Sequence, residues 1–121
     1  MSNHKPDIEN FLEELGLPLQ EAAELYYELA DELAMETLKL QTFIAEHDLE
    51  NQKRIIHNIK GFTGNYRISD VYELSSKLYD LLKLGNLDEA VLLLPHFFSL
   101  CETATREIEM FFAEKGCFRT F

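Results

Sequence analysis

Residues 49–66 read LENQKRIIHNIKGFTGNY. At 100° per residue, Ile55, Ile59, Phe62 and Tyr66 fall together, roughly 140–200° from His57. That spacing predicts an amphipathic helix over residues 49–66, buried on its Ile, Phe and Tyr side and turning His57 to solvent. Within about 60° of His57 lie Lys53, Arg54, Lys60, Gly61 and Gly64.

The chain on either side carries the same helical punctuation. Ile8, Phe11, Leu12 and Leu15 give a short helix over residues 7–15, stopped by Gly16. Pro18 suits the first turn of a second helix, since its missing N–H has no intrahelical partner there. That helix runs to about residue 46, with Ala22, Tyr26, Leu29, Leu33, Leu40 and Ile44 on one broad face. A turn near His47 and Asp48 leads to the helix of His57. A fourth starts at Ser69 or Asp70, with Asp70 and Glu73 in capping-box spacing, and ends at Gly85. The fifth opens with Asn86 and Glu89 in the same spacing and runs to Lys115, with Gly116 as its stop; Pro95 predicts a kink or a break inside it. Strand alternation and hairpin dipeptides are lacking. Four long amphipathic helices on short loops predict an all-α, antiparallel four-helix bundle capped by the short first helix. The reading is one domain over residues 1–121, with its ordered core at about 7–115 and a loose tail at 117–121.

With 22 acidic against 11 basic residues in 121, the net charge is −11. Such a chain repels phosphate backbones and anionic membranes, so nucleic acid and lipid are poor partners. No apolar run approaches the roughly 18–20 residues that cross a bilayer, and the polar start lacks a secretory signal. Cys101 and Cys117, if on one helix, stand about 24 Å apart, too far to bridge. They read as reduced thiols of a cytoplasmic protein, Cys117 being open to oxidation between molecules. His4 falls in a terminus expected to be disordered, His47 at a helix end, and His96 beside Pro95. Metal-ligand spacings and nucleotide-binding loops are missing, so the chain is expected to hold no metal and not to use ATP itself. The Phe and Tyr residues at helical spacing read as core.

Two features of the His57 face exceed what structure alone needs. Residues 51–68 hold Lys53, Arg54, Lys60 and Arg67 and no acid, whereas all 22 acids lie elsewhere. A basic island around a histidine suits a dianion, although a solvated basic helix is the plainer explanation. Gly61 and Gly64 each cost a helix roughly 1 kcal/mol relative to alanine. On an outward face, packing inside the bundle does not account for them, and a notch for another protein's surface does. An exposed imidazole is a competent nucleophile near neutral pH.

His57, Ile59, Lys60, Gly61 and Gly64 resemble the signature of histidine phosphotransfer (HPt) domains of multistep phosphorelays. The likeness covers most of the chain, roughly residues 7–115. It departs at Phe62, where small residues are usual, and at Arg67, where glycine is common. The resemblance implies that His57 takes a phosphoryl group from a receiver-domain aspartate and passes it to another. Lys60 would neutralise the group, and Gly61 and Gly64 would admit the receiver. Ile56, Lys53 and Arg54 are candidate docking contacts. It implies no cofactor of the chain's own, the receiver supplying Mg²⁺. The partners are then receiver domains of response regulators or hybrid kinases, met by a monomer with no ATP-dependent kinase activity. The competing reading is an adaptor bundle that binds a signalling partner through the same face without being phosphorylated.

Overall fold

Gly16, His47, Arg67, Gly85 and Gly116 all have positive φ, and each follows the end of a helix. In the computed structural model, which describes residues 5–119, those helices are α1 (Lys5–Leu15), α2 (Leu19–Ala45), α3 (Leu49–Asn65), α4 (Ser69–Leu84) and α5 (Leu87–Glu114). No strand occurs among the described residues. His4 lies outside them, as do Thr120 and Phe121 of the tail.

The four long helices close in the same way. After α3, Arg67 N–H donates to the Gly64 carbonyl at 3.3 Å and Ile68 N–H to the Thr63 carbonyl at 2.9 Å. This paired bonding satisfies the last carbonyls and needs a left-handed residue, here Arg67 at φ 62°. The position is one that glycine fills most cheaply, and Arg67 is held by other means. Its guanidinium bonds Glu14 at 2.7 Å and lies 5.2 Å from the centre of the Phe11 ring.

The turn after α3 also overrides the capping box expected at Asp70. Ile68 already stands at the N-cap, so Asp70 falls within the first turn of α4, where a carboxylate suits the helix dipole. Asn86 is the N-cap of α5 but makes no side-chain cap bond. Asp48 does cap α3, accepting from Asn51 N–H at 3.2 Å. Pro95 does not break α5, which is continuous from Leu87 to Glu114. It sits on the solvent side, where water can take up the carbonyl it leaves unpaired.

α2 packs against α3 and α5, and α4 packs against the same two. α2 and α3 run in opposite directions. Along α2 and α3, Phe43 meets Gln52, Glu36 meets Asn58 and Tyr26 meets Tyr66. α1 lies over the end where Tyr26, Tyr66 and Phe112 gather, and its Phe11 packs edge-on against both tyrosines. One connected set of buried apolar side chains runs from Ile8 to Cys117.

Residues 117–119, expected to be loose, are docked. Tyr27 donates its hydroxyl to the Cys117 carbonyl at 2.6 Å, and Arg119 bonds Asp31 at 2.8 Å while lying over the Tyr27 ring. Cys117 is therefore buried rather than open to oxidation. Three residues carry no periodicity, so this docking has no sequence signature.

Burial, reinforced by the Asp70 charge, pushes the Cys101 thiol from an ordinary 9.0 up to about 12. A raised thiol pKa means that its contribution to stability is whole below about pH 9 and is lost as pH climbs toward 12. Wild type should therefore lose stability above pH 9 more steeply than Cys101→Ala, by up to ~1.4 kcal/mol per pH unit. Urea unfolding at several pH values measures this. Parallel pH profiles for the two proteins would contradict it.

Candidate functional site

The side chains of α3 are sorted by the two helices it touches. On the α2 side, Asn58 reaches the buried Glu36 carboxylate at 3.4 Å. On the α4 side, Tyr79 packs against α3. Between these flanks His57 is exposed at mid-helix, as the wheel of α3 requires. Its ring lies 5.3 Å from the Tyr79 ring, tilted by 54°. One turn on, Lys60 Nζ stands 5.9 Å from the centre of that same ring, and Lys83 Nζ from α4 stands 5.7 Å from it.

An open groove of about 570 Å³ starts at His57 and Lys60 and passes Gly61 and Gly64 toward Arg67. Tyr72 and Glu73 of α4 form its other wall. The two glycines differ. A Cβ at Gly61 would have no atom within 4 Å outside its own helix, so that position is open space. A Cβ at Gly64 would stand 2.9 Å from Tyr72 Cδ1 and 3.0 Å from Cε1. Gly64 is thus accounted for by the approach of α4, contrary to the expectation that packing plays no part. Gly61→Ala should raise stability by up to ~1 kcal/mol, because nothing opposes the better helix former. Gly64→Ala must displace the Tyr72 ring and should fall short of Gly61→Ala by about 1 kcal/mol or more. Equal gains in urea unfolding would show that Tyr72 yields freely.

Ile56 is a second correction. Read as a flank contact for a partner, it is 1% exposed and belongs to the core. His57 and Lys60 already lean toward α4, and Ile56 lies about 100° from His57 on that same side. A helix covered on two flanks buries a wider arc than its strongest apolar stripe suggests. Phe62, by contrast, packs against the core as expected and leaves the groove clear.

The basic island is less uniform in space than in sequence. Lys53 is paired with Glu50 at 2.8 Å and Arg67 with Glu14. Arg54 donates to the Asn51 side chain at 3.2 Å and leans over Phe43. Lys60 makes no ion pair among the described residues, and it is the cation beside His57. The structure thus brings together His57, Lys60, Gly61 and Gly64. It leaves Arg54 turned aside and Ile56 inside.

Tyr79, Tyr72 and Lys83 were not legible as site residues, the two tyrosines fitting the general reading of aromatics as core. The tight turn at Arg67 and Ile68 offers the one usable signal. Equal counts back along α3 and forward along α4 bring His57 opposite Tyr79 and Gly64 opposite Tyr72.

Chemically, the arrangement offers an exposed nucleophilic nitrogen with a free ammonium one turn away and open approach on the Gly61 side. Among the described residues no group of three or more His, Cys, Asp or Glu side chains is placed to hold a metal ion. No helix among them is long and apolar enough to cross a membrane. Comparison with protein-family models, with curated proteins and with solved structures gave no match to this chain.

Proposed function

We propose that this chain is a phosphorelay carrier in which His57 receives and passes on a phosphoryl group. α2 to α5 then form an antiparallel four-helix bundle capped by α1. The protein acts as a cytoplasmic monomer whose partners are receiver domains. The observation that carries the reading is the exposed His57 imidazole beside Lys60, next to open space at Gly61.

A His57 ring nitrogen attacks the phosphorus of a receiver's aspartyl phosphate. An N–P bond forms, the P–O bond to the carboxylate breaks, and the aspartate leaves as a carboxylate. The reverse step on a second receiver returns the imidazole. Lys60 offsets charge on the group in transit, and the Mg²⁺ and acidic pocket belong to the receiver. The chain itself contributes no ATP chemistry.

The adaptor reading draws on a different observation. Glu73 lines the groove, and Glu50 and Glu14 neutralise two of its nearby bases, so the face is less cationic than the sequence suggests. Incubation with a receiver domain labelled on its aspartate separates the two. Transfer of label to this chain, acid-labile and alkali-stable, is the expected result. Complex formation without any label would favour the adaptor.

A further inference from the structure

The first half of α5 departs from what a solvent-facing helix needs. Residues 90–101 read AVLLLPHFFSLC and hold no Asp, Glu, Lys or Arg, in a chain where these make up 27%. Farther along the same helix, Glu102, Arg106 and Glu114 take exposed positions; here Val91, Leu92 and Pro95 do. Leu92 is 79% exposed, and Leu84, just before the turn into α5, is 75% exposed. Burial in the core accounts for neither.

α2 repeats the pattern alongside. It runs antiparallel to α5, since Tyr27 packs on Phe112 while Leu33, Thr37 and Gln41 share an open groove of about 250 Å³ with Phe98, Cys101 and Glu102. The second half of α2 therefore lies beside the first half of α5. Residues 34–45 carry only two charges, Glu36 and Lys39, which bond each other at 3.2 Å, and Met35 and Leu38 are exposed. Acids return at both ends of this face. Asp88 and Glu89 stand in the first turn of α5, and Glu28 and Asp31 precede Met35 and Leu38 on the outer side of α2. Glu28, Asp88 and Glu89 form no ion pair among the described residues.

We propose that this α2–α5 face docks a cationic amphipathic helix of another protein, apolar at its centre and bearing Lys or Arg at both ends. The span from Asp88 to Glu102 is about 21 Å along α5, which sets the partner helix at about four turns. Exposed leucines supply the contact, and the acids at the ends steer and orient a basic segment. A second copy of the chain is a poorer occupant, because two molecules at −11 repel each other. α3 and α5 each pack on α2 and α4, so the face lies across the molecule from His57. It stands independently of phosphoryl transfer and of the receiver's approach.

The probe is a fluorescein-labelled synthetic helix of about 15 residues, with one stripe of leucines and with lysines in its first and last turns. Fluorescence anisotropy measures its binding to wild type, to Val91→Gln combined with Leu92→Gln, to Asp88→Asn combined with Glu89→Gln, and to Met110→Gln, an exposed apolar position in the other half of α5. The Val91 and Leu92 pair should weaken binding at least about 10-fold while the thermal unfolding temperature holds, because both side chains are exposed. The Asp88 and Glu89 pair should weaken it about 3–10-fold, the effect shrinking as salt rises. Met110→Gln should bind as wild type does, and a peptide with glutamates in place of its lysines should bind at least about 10-fold more weakly. Amide shifts in nitrogen-15 NMR should gather on the second half of α2 and the first half of α5. Equal affinity for wild type and the Val91 and Leu92 pair, or shifts gathered on α3 around His57, overturns the proposal. Sedimentation of the protein alone adds one more outcome. A wild-type dimer that the Val91 and Leu92 pair dissolves shows a second copy on this face and overturns the cationic helix.

Discussion

His57→Gln should lose all acid-labile phosphate received from a phosphorylated receiver while unfolding at the temperature of the wild type. Glutamine keeps a polar side chain of similar reach but has no nucleophilic ring nitrogen. His57 is exposed and, among the described residues, forms no hydrogen bond or ion pair; its ring packs at a tilt against Tyr79. Surface substitutions of that kind usually stay within about 0.5 kcal/mol of wild type. Circular dichroism melting and labelling on the same preparations measure the pair of outcomes. Label persisting on His57→Gln would place the acceptor elsewhere.

Gly61→Gln should separate docking from folding by nearly as wide a margin. The space around Gly61 is empty and glutamine outranks glycine in a helix, so the melting temperature should hold or rise. A protein donor, however, must seat its phosphoaspartate against His57 across that space. Misplacement of reacting groups by about 1 Å costs on the order of 100-fold, so transfer from a receiver should fall by about that factor or more. Phosphoramidate, small enough to pass the new side chain, should label the variant far less impaired. Intact transfer from the receiver would remove Gly61 from the approach path. Gly64→Gln is a poorer probe, because its side chain collides first with Tyr72.

These contrasts trace how far the sequence could be read. Helix boundaries came through because the chain marks them with backbone chemistry. Gly16, Gly85 and Gly116 end helices at positive φ, and Pro18 precedes the first turn of α2. Arg67 carries the same left-handed turn without glycine, and only Glu14 and Phe11, more than fifty residues away in the chain, account for its tolerance. The outward direction of His57 followed from one helix's own periodicity. What failed depended on a second helix. Ile56 is covered by a flank that periodicity cannot assign, and Gly64 is matched to a ring eight residues on across a turn. Tyr79 carried no mark distinguishing it from a core aromatic, yet it touches His57 directly. Charge behaved likewise. Residues 51–68 hold no acid in sequence, but Glu14 and Glu50 reach into the island from outside it.

The central claim is that the His57 imidazole carries the phosphoryl group between two receivers, and phosphorus NMR reads that directly. A phosphoramidate resonance should appear when the protein meets a phosphorylated receiver, with fragmentation mapping the group to His57. Adding a second, unphosphorylated receiver should erase that resonance as the group moves on to its aspartate. A receiver that binds the His57 face while no phosphoramidate signal ever forms would contradict the relay and leave a binding module.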